Sequence, residues 1–267
     1  MLIDFHTHVF PDRIASSAIS SLEARANIKA CTDGTVEGLL KLMDQEGVDI
    51  SVVLPVVTSP KQFESINRFS AEQTNERLVF FGGIHPDCED AEAKMDKLYA
   101  MGFKGIKLHP DYQSTFINDE KYIRIIRRAL EHGMYVSIHA GVDVGMPYPV
   151  HCPPDLAAQM LNAVDDLNRG EPRIILAHMG AAEMPQEVLL HLCTKNIYLD
   201  TGYTIDKEDP AVMKKIIRSH GAQRILFATD APWNDPTSCV NALKKLELTP
   251  DEEELIFFKN AQRILGL

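Results

Sequence analysis

Residues 2–8 read LIDFHTH, a short apolar run that ends in two histidines separated by one residue. Such a run, apolar on both faces, is typical of a buried strand in a parallel sheet. In an open, doubly wound α/β sheet a Gly-rich phosphate loop would follow the first strand, whereas His6-Thr7-His8 stands here. The stretch therefore favours a closed (β/α)8 barrel, the TIM barrel, over its main α/β rival.

Seven similar apolar runs recur along the chain, separated by stretches with helical periodicity. Thr35 and Asn118 are predicted to cap two of these helices, which Gly47 and Gly133 are predicted to end. Strand followed by helix, eight times, predicts a (β/α)8 barrel in a single domain over residues 1–267. The predicted strands are residues 2–6, 50–57, 78–84, 105–109, 135–139, 173–178, 197–200 and 224–230.

The charge and the cysteines restrict the class of function. A formal net charge of -11 argues against nucleic-acid binding, which requires a basic surface. The five cysteines are odd in number and include no CxxC pair, so reduced thiols are expected. The sequence opens with no secretory signal and contains no apolar segment long enough to span a bilayer. We therefore expect a cytoplasmic protein that acts on a small molecule and has no nucleic-acid or membrane partner.

Seven polar side chains stand at the carboxyl ends of predicted strands. Because these ends meet at one rim of a barrel, the side chains are expected to lie close together. Residues at i and i+2 of a strand share a face, so the HxH pair can bind one ion. Imidazoles and a carboxylate suit zinc, with manganese, iron and nickel as alternatives. The seven residues are His6, His8, Lys107, His109, His139, His178 and Asp230.

Six segments resemble the amidohydrolase superfamily, and within it the "amidohydrolase 2" branch that contains aminocarboxymuconate-semialdehyde decarboxylase. They are IDFHTH, GIKLHP, SIHAG, ILAHMG, ILFATDAPW and NAQRILGL, in order from residue 3 to the last residue. The resemblance implies that His6, His8, His139 and Asp230 bind a catalytic divalent metal. It also implies that His178 orients or deprotonates water at this metal, and that Asp230 accepts the proton of the water.

Hydrolysis of a small molecule is the expected activity. A divalent cation lowers the pKa of bound water from about 15.7 to near 7, which makes hydroxide available at neutral pH. We expect attack on the carbonyl carbon of an amide, lactone or ester, with Asp230 and His178 as the catalytic residues. The alternative is a metal-dependent, non-hydrolytic decarboxylase of a small aromatic or unsaturated acid, because the same branch contains such lyases. The compactness of the chain favours hydrolysis.

Two further alternatives belong to other classes. A metal-dependent nuclease is disfavoured, because Lys107 stands where such proteins carry a glutamate and because the chain is acidic. A barrel that keeps the ion only as structural support, or that binds a ligand without turnover, is the non-enzymatic alternative. An open metal position that faces a pocket near His178 would favour catalysis over both.

Lys107 has three interpretations. As a cation it would hold a substrate carboxylate, which is the interpretation we favour. If carboxylated, it would bridge two metals, with His178 among the ligands of the second ion. In the third interpretation it pairs with a nearby acid. One divalent ion is therefore expected, with two as the alternative.

Substrate contacts are expected from four residues near the strand ends. Trp233, the only tryptophan, directly follows the metal-site segment, and Tyr148 lies in a Pro-rich loop after His139. Asp4 is a candidate hydrogen-bond partner of a metal-binding imidazole, and Asp200 a candidate substrate contact. The resemblance also makes a homodimer the expected assembly. The four expected contacts are Lys107, His109, Tyr148 and Trp233.

Overall fold

The computed structural model describes residues 1–146 and 148–267. All strand pairs in it are parallel, and strands alternate with helices as the sequence predicts, except that the third predicted strand is divided into two. The strands are β1 (Ile3–Thr7), β2 (Ile50–Val53), β3 (Leu78–Phe80), β4 (Gly82–Gly83), β5 (Gly105–Leu108), β6 (Tyr135–Ile138), β7 (Ile174–Leu176), β8 (Tyr198–Asp200) and β9 (Ile225–Leu226).

The principal helices lie between and after these strands. They are α1 (Asp12–Ala26), α2 (Val36–Glu46), α3 (Phe63–Gln73), α4 (Ala91–Ala100), α5 (Glu120–Glu131), α6 (Pro154–Ala163), α7 (Pro185–His191), α8 (Pro210–His220), α9 (Pro236–Lys245), α10 (Pro250–Glu254) and α11 (Asn260–Leu265). A π-helical turn, Leu255–Lys259, joins the last two.

The strands follow one another in sequence order, as they do in a (β/α)8 barrel. Their regular ladders form two sheets, β1-β2-β3 and β4 to β9, instead of one closed sheet. At one gap the chain itself joins the sheets, because Phe81 connects β3 directly to β4, and at the other gap the amide of Phe5 donates to the carbonyl of Phe227. A parallel bridge between Thr7 and Ala231 also joins the two ends. The predicted TIM-barrel class is confirmed.

The predicted strand at residues 78–84 is divided into β3 and β4. Its first half pairs with β2 and its second half with β5, so the strand changes partner at Phe81. Helix α2 has the predicted ends, with the Thr35 hydroxyl accepting from the amide of Gly38. The predicted cap of α5 was one residue too early, because Asp119 rather than Asn118 accepts the free amide of Lys121.

A bulge in β1 turns the first histidine towards the barrel interior. Three steps along β1, from Asp4 to Thr7, oppose two steps along β2. Phe5 packs against Phe81 in the inner hydrophobic cluster, and the next residue, His6, contacts the buried Asp200. Consecutive residues of a regular strand point to opposite faces, so the extra residue lets both point inward.

The core lies mainly between the strands and the surrounding helices. Strand residues that face outward, such as Ile106 and Leu199, pack with α5 and α8 in the larger hydrophobic cluster. The smaller cluster fills the lower interior and is closed by Ile264 and Leu265 of α11. Among the described residues, every helix is too short or too polar to cross a lipid bilayer.

Candidate active site

Four of the expected side chains meet at the carboxyl ends of the strands. Nε2 of His6 lies 3.2 Å from Nε2 of His8 and 3.3 Å from Oδ1 of Asp230. Nε2 of His8 lies 3.1 Å from the same Oδ1. His178 belongs to the same cluster, since its ligand atom and those of His6 and Asp230 all lie within 4.8 Å of one another. Segments far apart in the sequence therefore converge as expected.

His139 reaches this cluster by way of His178. Its Nδ1 lies 3.0 Å from Nε2 of His178, and its ring stacks on that of His109 with 4.0 Å between the centroids. The structure therefore places His178 beside His6 and Asp230, and His139 next to His178. The five side chains form one continuous group.

Oxygen atoms behind the cluster determine which imidazole nitrogens carry a proton. In three of the histidines Nδ1 faces a carboxylate or a carbonyl oxygen, which can only accept, so Nδ1 must donate. In a neutral ring Nε2 is then left with a lone pair, and each of these lone pairs points to the centre of the cluster. The donor–acceptor pairs are His6–Asp200 at 2.9 Å, His8–Leu54 at 2.7 Å and His178–Gly202 at 2.9 Å.

The centre of the cluster is therefore rich in electron pairs and poor in protons. Burial lowers the pKa of His6 and of His139 well below the usual range, so both rings are neutral at pH 7. Two of these lone pairs, on Nε2 of His6 and of His8, lie 3.3 and 3.1 Å from Oδ1 of Asp230, so several electron-pair donors face one point. Imidazole nitrogens and a carboxylate in this arrangement suit a divalent metal ion.

Two buried atoms, one on His139 and one on Asp111, provide a second test of whether the site fits a metal ion. Nε2 of His139 and Oδ2 of Asp111 lie 3.7 Å apart, and neither has a hydrogen-bond partner among the described residues. If Nδ1 of His139 gives its lone pair to a cation, the ring proton is on Nε2 and faces the Asp111 carboxylate. A carboxylate behind a metal-binding imidazole is the usual arrangement. The unpartnered pair therefore fits a cation at Nδ1.

Lys107 is almost fully buried beside the cluster. Its Nζ lies 3.0 Å from Nε2 of His6, and none of the ion pairs among the described residues involves it. Burial lowers the pKa of Lys107 to about 8, against the opposing effects of Asp200 and Asp230. The pairing with a nearby acid that the sequence left open is therefore not found. The amine is therefore mostly a cation at neutral pH. A substantial fraction of it becomes neutral as the pH rises to about 8.

A cavity of about 520 Å³ opens over these groups. Three of the four expected substrate contacts line it: Lys107, His109 and Trp233. The expected contact of Tyr148 is not found, because its side chain is 84% exposed and lies outside the described lining. The loop folds back through a bridge between Asp143 and Met146, so Asp143 faces the cavity instead, with Oδ2 3.5 Å from Nε2 of His109.

Asp200 and Asp4, two candidates from the sequence, support the site without facing the cavity. Asp200 is fully buried and is not a lining residue of the cavity, so the expected substrate contact is not found. Asp200 instead lies behind His6 and contacts its ring. Asp4 accepts the backbone amides of His6 and Thr229, at 3.1 and 3.0 Å, and so ties β1 to the segment that carries Asp230. The expected contact of Asp4 with an imidazole ring is not found.

Asp111 and Asp143 were missed by the sequence analysis. Asp111 follows His109 by two residues, and its Oδ1 accepts from the amide of His151 at 3.0 Å and lies 3.1 Å from Nδ1 of His151. Their positions in the sequence could have revealed them, because Asp111 and Asp143 come two and four residues after the strand-end histidines His109 and His139. The structure places both carboxylates against histidines of the site.

The sequence matches the family model described as "Amidohydrolase" over residues 3–267. No curated protein is significantly similar in sequence. A 5-carboxyvanillate decarboxylase from Sphingomonas paucimobilis has a similar structure, with 16% identity and a TM-score of 0.71 over 100% of this chain and 99% of that one. A dihydroxybenzoic acid decarboxylase from Polaromonas, with bound manganese, has 16% identity and a TM-score of 0.72 over 100% and 97%.

A "probable 2-pyrone-4,6-dicarboxylic acid hydrolase" from Acinetobacter baumannii, with citric acid bound, is also similar. Its identity is 18% and its TM-score 0.66, over 100% of this chain and 99% of that one. At such identities the likeness shows a shared fold. The family match is the stronger finding, and together with the grouped donors it supports a divalent metal at this site. Because the family model spans nearly the whole sequence, the chain belongs to the amidohydrolase family and is an enzyme.

Proposed function

We propose that this enzyme is a metal-dependent hydrolase that acts on the carbonyl carbon of an amide, a lactone or an ester in a small molecule. The observation that carries the proposal is the position of the Asp230 carboxylate, which lines the cavity 3.1 Å from Nε2 of His8 and 3.3 Å from Nε2 of His6. A carboxylate can accept a proton at neutral pH. Hydrolysis requires such an acceptor for the proton of the attacking water.

The proposed ligands of the ion are His6, His8, His139 and Asp230, and zinc is the preferred ion because nitrogen donors dominate the set. When bound, a divalent cation polarises the carbonyl group and lowers the pKa of water to near 7. Manganese, which the Polaromonas decarboxylase binds, is the alternative. We propose one ion. Two ions, with carboxylated Lys107 and His178 among the ligands, are the alternative, which metal analysis and the mass of Lys107 would distinguish.

The side chains of the site divide the remaining tasks. Asp230 accepts the proton of the attacking water on its carboxylate. His178 keeps its own proton on Nδ1, held by the carbonyl of Gly202, so its Nε2 can receive a proton and pass it to the leaving group. Lys107, as an ammonium group in the cavity, binds a substrate carboxylate or the oxygen that becomes negative.

A decarboxylase is the second candidate, because two of the solved structures with this fold are decarboxylases. The compactness of the chain does not separate the two classes, since the match covers 99% of the 5-carboxyvanillate decarboxylase. The two reactions require opposite proton transfers: hydrolysis needs an acceptor for the proton of water, whereas decarboxylation needs a donor to the carbon that loses CO2. The carboxylate of Asp230, placed among imidazole lone pairs, provides the acceptor, so hydrolysis is the first candidate.

A substrate screen of the metal-loaded enzyme tests the proposal. Lactones, esters and amides are assayed beside aromatic and unsaturated acids, and released CO2 is measured in parallel. We expect hydrolysis without CO2, and we expect Asp230→Asn to lower kcat by about 10²–10⁴-fold. Asp165→Asn, at a side chain that is 76% exposed, is the control and keeps full activity. Release of CO2 that depends on Asp230 would overturn the hydrolase and support the decarboxylase.

The compartment and the assembly complete the proposal. We propose a cytoplasmic enzyme, supported by five cysteines that are all free in the structure. Its partner is a small-molecule substrate, and the acidic surface disfavours nucleic acid. A homodimer stays a prediction, which sedimentation equilibrium would test.

A further inference from the structure

The cavity has an apolar wall that the reaction itself does not require. Ile14, Ala18 and Leu22 of α1 line it, and their spacing of four residues puts them on one face of the helix. Ala15 and Ile19, the buried residues of α1, occupy the adjoining face. Helix α1 therefore has one apolar face packed against the protein and a second one turned to the cavity.

This second face, which we call the α1 stripe (Ile14, Ala18 and Leu22), is separate from the hydrophobic core. None of its three residues belongs to either buried cluster or packs against one. Ile14 is 42% exposed, an unfavourable state for a large aliphatic side chain. In α3, Ile66 and Phe69 line the same cavity, and Phe69 also packs against the larger hydrophobic cluster. The α1 stripe, an apolar surface in a concave site without core partners, is the part that a ligand is expected to cover.

The stripe and the catalytic cluster line one continuous cavity. Asp230 and His6 belong to the same lining as Ile14 and Phe69, so one molecule can reach both. The volume of about 520 Å³ lies within the range of about 300–1,000 Å³ that encloses ligands of drug size. Arg13 is the charged residue of α1 on this lining, and its side chain is exposed to solvent.

We infer that the substrate carries an apolar acyl chain beside its reacting carbonyl, and that the α1 stripe together with Ile66 and Phe69 binds this chain. The inference rests on the proposed function, which places the carbonyl at the catalytic cluster. It names the substrate class as medium-chain acyl amides, lactones or esters. Specificity for the chain then comes from α1 and α3, outside the catalytic cluster.

Trp233 offers a measurement of binding that does not depend on turnover. It is the only tryptophan of the chain and lines the same cavity, so its fluorescence reports occupancy. The metal-loaded enzyme is titrated with straight-chain carboxylates from acetate to decanoate, in which the carboxylate takes the place of the reacting carbonyl. Each added methylene group is expected to lower Kd about fourfold until the apolar wall is covered.

Two matched variants identify the wall that binds the chain. Ile14→Ser is expected to raise the Kd of decanoate by about tenfold or more and to leave that of acetate unchanged. Leu190→Ser is the control, because Leu190 is 76% exposed on α7 and lies outside the described lining. Both positions are solvent-exposed, so folding is preserved. A Kd that does not depend on chain length, or equal effects of the two variants, would overturn the inference.

The two proposals can fail independently in this design. If Kd falls with chain length but no acyl substrate is hydrolysed, the proposed function is wrong and the apolar site stands. If short and long esters are hydrolysed equally well and Kd is flat along the series, the function stands and the apolar site is wrong.

Discussion

Oδ2 of Asp200 lies 2.9 Å from Nδ1 of His6, and Oδ1 of the same carboxylate accepts the backbone amides of His178 and Gly202, each at 3.0 Å. One fully buried group therefore orients the first imidazole of the HxH pair and the segment that carries His178. Since this carboxylate can only accept, it keeps the proton of His6 on Nδ1 and leaves the lone pair of Nε2 for a cation.

Asp200→Asn is therefore expected to weaken metal binding by about 10–100-fold. The amide can offer a donor to Nδ1, which allows the wrong tautomer of His6. Competition with a chromophoric chelator measures the metal affinity, and circular dichroism checks the fold. Asp165→Asn, on the surface, should bind metal like the wild type. Wild-type affinity in Asp200→Asn would show that the carboxylate does not control this ring.

Lys107 predicts a rise of stability with pH in the metal-free protein. Burial lowers its pKa from 10.5 to about 8, so between these values the folded chain holds fewer protons than the unfolded chain. The free energy of unfolding therefore rises with pH across this window, by about 3 kcal/mol in total. Lys107→Met lacks this titration, so urea denaturation should find the variant more stable at pH 7 and the difference mostly gone at pH 10.5. A pH-independent difference would contradict the buried ammonium.

His220 predicts a loss of stability in acid. The side chain is buried, Nε2 lies 2.9 Å from the carbonyl of Ile197, and burial lowers its pKa to about 4. Because the unfolded histidine titrates near 6.5, the unfolded chain binds more protons between these values, and stability is lost as pH falls from 6.5 to 4. Between pH 6.5 and pH 4 the unfolding free energy of the wild type should fall by about 3 kcal/mol more than that of His220→Gln. Thermal unfolding at the two pH values measures this difference. Parallel losses would exclude His220 as a cause.

Gly141, in the segment that follows His139, is expected to tolerate no side chain. Its φ of +82° is left-handed, and a Cβ there would collide with the backbone nitrogen of Ala182. Gly47 has a φ of +71° at the end of α2 but has no atom within 4 Å of such a Cβ. Gly47→Ala should therefore cost about 1–2 kcal/mol of unfolding free energy, and Gly141→Ala about 2 kcal/mol more. Equal losses in urea denaturation would contradict the close approach at Gly141.

The barrel class and the convergence of the histidines could be predicted from the sequence, because both follow from local patterns. Apolar runs identify buried strands, and His6, His139 and His178 lie at or just beyond their carboxyl ends. In a parallel barrel these ends meet at one rim whatever the detailed packing. The resemblance of the six segments then connected this rim with a divalent metal.

The supporting contacts could not be predicted, because they join residues far apart in the chain. Asp200 contacts His6 across 194 positions, and nothing near Asp200 in the sequence distinguishes this contact from a substrate contact. The division of the third strand at Phe81 and the bulge in β1 depend on pairing between strands. For Tyr148, the position in a Pro-rich loop after His139 suggested a substrate contact, whereas its side chain is 84% exposed and lies outside the described cavity lining.

We propose that one divalent cation is held by His6, His8, His139 and Asp230. Crystals of the zinc-loaded enzyme, measured on both sides of the zinc absorption edge, test it directly. We expect a single anomalous peak per chain, within bonding distance, about 2.0–2.2 Å, of the nitrogens and the carboxylate of these four residues. A peak elsewhere, or zinc-saturated crystals in which these four side chains bind no ion, would contradict it.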